Sequence, residues 1–356
     1  MVVERLDVEN VRNIEAAHLE LDAGLNLLVG PNGAGKTAAL EALHLVFRGR
    51  SFRTARTERV VRHGTARLAV GAGCRDPAQG RVRVSYVRDG GRVELSRDGH
   101  TVRQSSAIAM LQPIQLLLPD LSDLVFGAPA TRRQWLDWGA FHVKHGHAAT
   151  LRDYLRVLRH RNVLLRGDDR QTLHLWTQQV AELGERVAEN RRDYFETVKL
   201  DIEESLVALH AEVAVTVDYW PGWRGEDLAE TLGEQHDRDV KSGLTNAGPH
   251  RADIGIKCEQ GDASEVLSRG QGKVVASALR LAQARHLATA GGRSLFLIDD
   301  VGAELDEAHS ERLAAVLDDM DCQIVATSAN PGAGDVLRGS RGGRLFHVEH
   351  GRLTAA

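Results

Sequence analysis

Residues 30 to 37, Gly30-Pro31-Asn32-Gly33-Ala34-Gly35-Lys36-Thr37, fit the G-x-x-x-x-G-K-[ST] pattern of a phosphate-binding loop. Glycines there let successive backbone N–H groups converge on phosphate oxygens without interference from Cβ atoms. A helix starting next would add its favourable dipole. Lys36 is placed to reach the β- and γ-phosphates of ATP, and Thr37 to ligate Mg2+ through its hydroxyl. Much later, the apolar run Leu295-Phe296-Leu297-Ile298 ends in Asp299 and Asp300. Carboxylates at the C-terminal end of a buried parallel strand stand where open α/β sheets bind their ligands. Asp299 is the expected Mg2+ partner, through water. Asp300 follows it directly at the same strand end. The plain alternative is a pair of solvated carboxylates capping the next turn.

A second anion site is written into Leu267-Ser268-Arg269-Gly270-Gln271. Ser268 offers a hydroxyl, Gly270 a backbone N–H, and a helix from about Gln271 its positive end. An ordinary helix start would also use Ser268 as N-cap. One ATP needs only one phosphate loop. The second site therefore makes most sense if it serves a γ-phosphate held by a neighbouring copy of the chain, which implies dimerisation on ATP. Glu304-Leu305-Asp306 would then cross the interface between the copies.

Other residues divide more evenly between chemistry and architecture. Arg12 and Asn13 are candidates for phosphate contacts or simply polar residues on an edge strand. His142, His145 and His147 are of ligand type, but no cysteine or carboxylate nearby completes a tetrahedral set. Trp135 and Trp138, three apart, read as core packing rather than platforms for stacked bases. Arg132, Arg133, Arg159 and Arg161 form either a basic stripe or a solvated face.

The elements that must position the chemistry follow from periodicity. Leu25–Val29 is a short buried strand running into the glycine loop, and residues 38–47 have helical spacing with Leu40, Leu43 and Phe47 on one face. Between about 66 and 103 the alternation in Arg81–Val87 and Arg92–Ser96, with turns at Asp89-Gly90-Gly91 and Asp98-Gly99, marks an antiparallel β lobe. From 130 to 210 the pattern is helical, ending in a long helix or two. The last third returns to α/β rhythm: a helix over 273–290, the strand Leu295–Ile298, a helix near 307–317 and a strand over 323–326. Heptads are not sustained, so a long coiled coil is not expected. The 356 residues suffice for a sizeable core, and a net charge of −4 requires any nucleic-acid site to be a local basic patch. Three scattered cysteines suit a reducing cytoplasm, and no apolar run is long enough to span a membrane.

Leu267–Gln271, placed between the phosphate loop and the strand ending in Asp299-Asp300, resembles the signature of ABC-type ATPases. In that class one subunit's signature closes over nucleotide on another subunit's loop. Over essentially its whole length the chain is similar to the RecF family of bacterial recombination mediators, short relatives of SMC and Rad50 type ATPases. The stretches that carry this are Asn10-Val11-Arg12-Asn13, Gly49-Arg50-Ser51-Phe52-Arg53-Thr54, Gly127–Arg133, Gly248-Pro249-His250-Arg251, the signature and Ile298–Val301. Ser51–Thr54 and Pro129-x-x-Arg132-Arg133 followed by Trp135-Leu136-Asp137 are particular to that family. Departures are Gly272, where a second glutamine is usual, and Ala252-Asp253, where two aspartates are.

The resemblance implies an α/β fold: an ABC-type (Rad50/SMC-like) ATPase head, with an antiparallel β lobe and an inserted α-helical domain. Residues 1–119 and 211–356 would form the discontinuous head and 120–210 the helical arm. It assigns Arg12 and residues 30–37 to nucleotide and Ser268, Arg269, Gly270 and Gln271 to the signature acting in trans. Thr37 and Asp299 go to Mg2+, with Gln112 or Gln115 as the metal-contacting glutamine. Asp300 stands where ABC enzymes usually carry the longer glutamate that polarises the attacking water, so the resemblance makes Asp300 and Lys36 the catalytic candidates and implies slow hydrolysis. Ser328 stands roughly where transporter ATPases keep a histidine. ATP would dimerise the protein as a clamp on double-stranded DNA near single-strand gaps, working with RecO and RecR to load recombinase. Hydrolysis would release it. The rival readings are a transporter ATPase subunit and a DNA-binding protein that holds nucleotide without turnover.

Overall fold

The computed structural model describes residues 1–144, 146–167, 171–301, 307–338 and 342–356. By internal contacts the chain forms two compact units. One comprises Met1–Leu121, Ser205–Ala211 and Lys273–Ala356; the other comprises Ser122–Glu204 and Glu212–Gly272.

In the first unit, β1 (Val2–Val11) and β2 (Ile14–Glu20) form a hairpin, and β3 (Leu25–Val29) leads into the helix Lys36–Arg48. Strands β4 (Arg67–Asp76), β5 (Gly80–Asp89), β6 (Arg92–Arg97) and β7 (His100–Thr101) make up the expected β lobe. β4 pairs with β1, so lobe and hairpin are one antiparallel sheet in the order β2-β1-β4-β5-β6-β7. The second sheet takes β8 (Ile114–Leu117) and four strands from the chain's end. Those four are β12 (Ser294–Ile298), β13 (Cys322–Ser328), β14 (Arg344–Glu349) and β15 (Arg352–Ala355). Its order is β15-β14-β3-β13-β12-β8, with only β15 antiparallel. Every residue of β3, β12 and β13 is buried, as strands covered on both faces require.

The Lys36–Arg48 helix touches β1, β4 and β5 of one sheet and β13 of the other. That explains why it is apolar on all sides rather than along one stripe: Ala38, Ala39, Leu40, Ala42, Leu43, Leu45, Val46 and Phe47 are all buried, in a core shared with both sheets.

The second unit carries the helices Pro129–Val143 and His147–Arg166 and the long Leu173–Ala208 helix as far as Glu204. It also holds a three-stranded sheet in which β10 (Asp253–Cys258) lies between β9 (Val215–Trp220) and β11 (Gly261–Asp262). Residues 212–272 thus belong with the helices, not with the head as the sequence suggested. The physical reason is a set of polar ties across long sequence separations. Arg132 pairs with Asp253 at 2.7 Å, Arg161 with Asp239 at 2.7 Å, and Tyr154 Oη lies 2.6 Å from His250 Nδ1.

These ties also dissolve the basic stripe. Arg161 is fully buried, Arg132 and Arg133 bond Asp253 and the Ala252 carbonyl, and only Arg159 is exposed. Trp135 and Trp138 are core residues. Gly139 allows this packing, since a Cβ there would lie 1.9 Å from the Tyr194 ring. Of the histidines, His147 is buried against Asp137 at 3.0 Å, His142 packs on Trp138, and His145 lies outside the described residues. Among the described residues no three or more His, Cys, Asp or Glu side chains are grouped to hold a metal, and no helix is long and apolar enough to cross a membrane.

Candidate nucleotide site

The phosphate loop connects β3 to the Lys36–Arg48 helix, and its glycines are demanded by geometry. A Cβ on Gly30 would lie 2.0 Å from the Val348 carbonyl oxygen. Gly33 and Gly35 take φ of 79° and 119°, values that L side chains avoid. The turn is braced from outside: Asn13 Nδ2 donates to the Gly33 carbonyl at 3.0 Å, and Gly351 N–H to that of Ala34 at 2.7 Å. Asn13 is thus a support for the loop. The N–H groups of Gly33, Gly35, Lys36 and Thr37 meet no acceptor among the described residues. A concave run of unsatisfied donors at a helix start fits a phosphate chain. Lys36 is nearly buried and donates to the Gly30 and Pro31 carbonyls at 2.6 and 3.0 Å.

The carboxylates arrive from the other end of the chain. β13 lies between β3 and β12, so three strands end side by side. Thr37 Oγ1 donates to Asp299 at 3.0 Å, although 262 residues separate them. Thr327, at the end of β13, completes the group. Its hydroxyl donates to Asp299 at 2.7 Å and accepts the Asp300 N–H at 2.8 Å. Asp300 adopts φ 59°, an uncommon left-handed turn for a non-glycine residue, held by this bond and by Val301 N–H to the Thr327 carbonyl at 2.7 Å. Thr327 and its role had no local sequence signal. Ser328 is buried and its hydroxyl donates to the Asn330 carbonyl at 2.6 Å, an architectural use.

Arg12 is engaged by a partner that the sequence did not announce. Its guanidinium grips Glu41 in a bidentate pair at 2.8 and 2.9 Å and donates to the Arg59 carbonyl at 2.7 Å. The bonds to Glu41 hold the Arg12 pKa above its ordinary value. Glu41 is fully buried on the phosphate-loop helix and also accepts from Ser51 at 2.5 Å, while Ser51 Oγ caps the N–H groups of Arg53 and Thr54. The Ser51–Thr54 motif is thereby tied to the helix that carries Lys36 and Thr37. Nearby His44 is buried, which pushes its pKa down to about 3, and its Nδ1 lies 2.7 Å from the Arg50 carbonyl. Gln112 and Gln115 are both fully buried. Gln112 bonds backbone near Arg293, whereas Gln115 sits level with Phe296, three residues short of Asp299.

In the second unit the signature opens the helix Arg269–Thr289 as a reciprocal cap. Gln271 N–H donates to Ser268 Oγ at 3.3 Å, and Ser268 N–H to Gln271 Oε1 at 2.9 Å. Ser268, Arg269 and Gly270 are exposed. Glu304, Leu305 and Asp306 lie outside the described residues.

A family model described as the RecF/RecN/SMC N terminal domain matches residues 2–338. The DNA replication and repair protein RecF of Chromohalobacter salexigens is 37% identical over 99% of this chain and 99% of its own. That of Marinomonas is 35% identical over 99% and 98%. The chain belongs to the RecF family. The RecF fold agrees: the structure titled recombination mediator protein RecF-ATP in the RecFOR pathway is similar at TM-score 0.88 and 24% identity, over 100% of this chain and 97% of that one. An Smc head bound to the C-winged helix domain of ScpA is similar at TM-score 0.61 and 14% identity, over 100% and 97%. The RecF architecture is therefore an ABC-type ATPase head of the SMC kind. Within this chain, the loop, Thr37, Asp299 and Asp300 converge in one unit, and the signature residues lie in the other.

Proposed function

We propose that the chain binds ATP with Mg2+ at residues 30–37 and dimerises on it, each copy's Ser268–Gln271 closing over the partner's γ-phosphate. The product is a clamp on double-stranded DNA near single-strand gaps. In this reading it acts in the cytoplasm with RecO and RecR to load recombinase, and weak, DNA-stimulated hydrolysis opens the clamp.

The carrying observation is the 3.0 Å contact of Thr37 with Asp299 beside unclaimed loop N–H groups. A hydroxyl and a carboxylate at that separation suit a hydrated Mg2+, which would be bound through Thr37 directly and Asp299 through water. The loop donors and Lys36 neutralise phosphate charge, with Lys36 exchanging carbonyl partners for phosphate oxygens. Asp300, fixed by Thr327, is the residue placed to orient water. Its short side chain supports slow turnover.

Support for a polyanionic partner, despite the overall negative charge, comes from residues 50–62. Arginines recur there every third position: Arg50, Arg53, Arg56, Arg59 and Arg62. Arg50, Arg56 and Arg59 are exposed and have no acidic partner among the described residues. Arg12, Ser51 and buried Val60 anchor the backbone between them. Phosphate contacts of this kind give binding that weakens steeply with salt. The similar RecF-ATP structure is of a mediator of the RecFOR pathway, which supports the RecO and RecR assignment.

Fluorescence anisotropy on duplex, single-stranded and gapped DNA, with ATP, ADP or no nucleotide, tests the reading. The expected result is tight duplex and gap binding with ATP alone. Equal binding without nucleotide would remove the ATP gate from the account.

A further inference from the structure

The family motif Gly127–Arg133 has no role in nucleotide chemistry, yet its Arg132 pairs with Asp253 and the residue before the motif, Phe126, lies against the signature. Gly272, directly after it, is buried, and a Cβ there would lie 2.3 Å from Phe126 Cε2 and 2.5 Å from Cζ. The Phe126 ring therefore lies against the first turn of the signature helix, while Ser268, Arg269 and Gly270 stay exposed. Phe126 closes a single helical turn, Asp123–Phe126, too short to be stable alone. Arg132 supplies what that turn lacks. Its Nη1 donates to the Gly127 carbonyl at 2.9 Å and, less closely, to Val125 at 3.4 Å and Leu124 at 3.5 Å. Its other edge forms a bidentate pair with Asp253 at 2.7 and 3.0 Å. Within the signature, Gln271 Nε2 donates to Glu212 at 3.3 Å.

We propose that Phe126, gripped through Arg132 and Asp253, is a positioning residue that sets the signature turn for closure over a partner's nucleotide, with Gly272 as the residue that admits it. The chain departs from the usual glutamine after the signature because a side chain there would occupy the space of the Phe126 ring. This rests on the proposal that Ser268–Gln271 acts in trans. Phe126 does not touch nucleotide in this scheme; it acts only through the helix start.

A size-swap cycle tests it on the full chain: Gly272→Ala, Phe126→Ala and the double variant, each with ATP titration, thermal melting, ATP-driven dimerisation by light scattering, and turnover against protein concentration. Forcing a methyl into a packed contact typically shifts an equilibrium by about five- to a hundredfold. Gly272→Ala should weaken dimerisation by about tenfold or more, with ATP affinity within about twofold of wild type. Its turnover should recover at high protein concentration, which a general folding defect would not allow. The double variant, with the methyl filling space vacated by the ring, should dimerise better than either single one. Arg132→Lys should resemble Phe126→Ala, because an ammonium cannot span carboxylate and carbonyls together. Wild-type dimerisation by Gly272→Ala, or losses in the two single variants that simply add, would overturn the inference. Failure of the wild type itself to dimerise with ATP, or dimers from Ser268→Arg, would instead defeat the trans-signature reading beneath it.

Discussion

Replacing Arg12 by alanine tests how far the phosphate loop depends on groups outside it. The change deletes two charge-assisted hydrogen bonds to Glu41 and one to the Arg59 carbonyl. It leaves a carboxylate of 0% side-chain exposure with, among the described residues, only Ser51 as close partner and Arg53 at 4.0 Å. Removing one member of a buried pair costs about 3–5 kcal/mol. Arg12 is 25% exposed, so water screens the pair in part, and about 3 kcal/mol is the fitting figure. For a unit of this size each kcal/mol moves the melting temperature by about 2–4 °C, giving a fall of about 6–12 °C. Differential scanning calorimetry reads it directly. ATP affinity should drop as well, since Arg12 adjoins Asn13, the loop's brace. A variant that melts within about 2 °C of wild type would refute the reasoning.

Three further outcomes follow from the same geometry. Lys36→Met should abolish ATP binding in equilibrium titration while leaving the melting temperature near wild type, because the lysine's own partners are two backbone carbonyls of the loop, Gly30 and Pro31, and no carboxylate. His44 is held neutral by burial, with its pKa depressed to about 3. The unfolded chain binds that proton near the ordinary value of about 6.5, so His44 makes stability fall as pH drops from about 6.5 towards 3; His44→Phe should flatten that limb in pH-dependent denaturation. Asp137 has the same sign in a more acidic window: burial alone would raise its pKa, but Arg191 and His147 hold it below the usual carboxylate value. Its stabilisation is present above about pH 4 and lost in stronger acid, so Asp137→Asn should lower stability at neutral pH and leave little difference well below pH 4.

What the sequence revealed and what it hid divide by range. The glycine loop and the carboxylate-ended strand are contiguous, and their chemistry is fixed by residue type and spacing. Thr327 was hidden because its role depends on β13 being inserted between β3 and β12, an order that no local pattern encodes. Glu41 was hidden for another reason: a lone acid in an apolar helix reads as a polar face until Arg12 and Ser51 are brought to it. The second unit's extent was misjudged because Arg161 and Asp239, both at zero exposure, carry no periodic signal across the 78 residues between them. Gly272 was read as a departure from a family pattern. Its cause, the Phe126 ring, lies far away in sequence.

The central claim is that ATP joins two copies through the phosphate loop of one and the signature of the other. Multi-angle light scattering of wild type and Ser268→Arg, with ATP and with ADP, measures it directly. A dimer is expected only for wild type with ATP, and a monomer that still binds ATP for Ser268→Arg. An ATP-bound dimer of Ser268→Arg, or a wild type that stays monomeric with ATP, would contradict it.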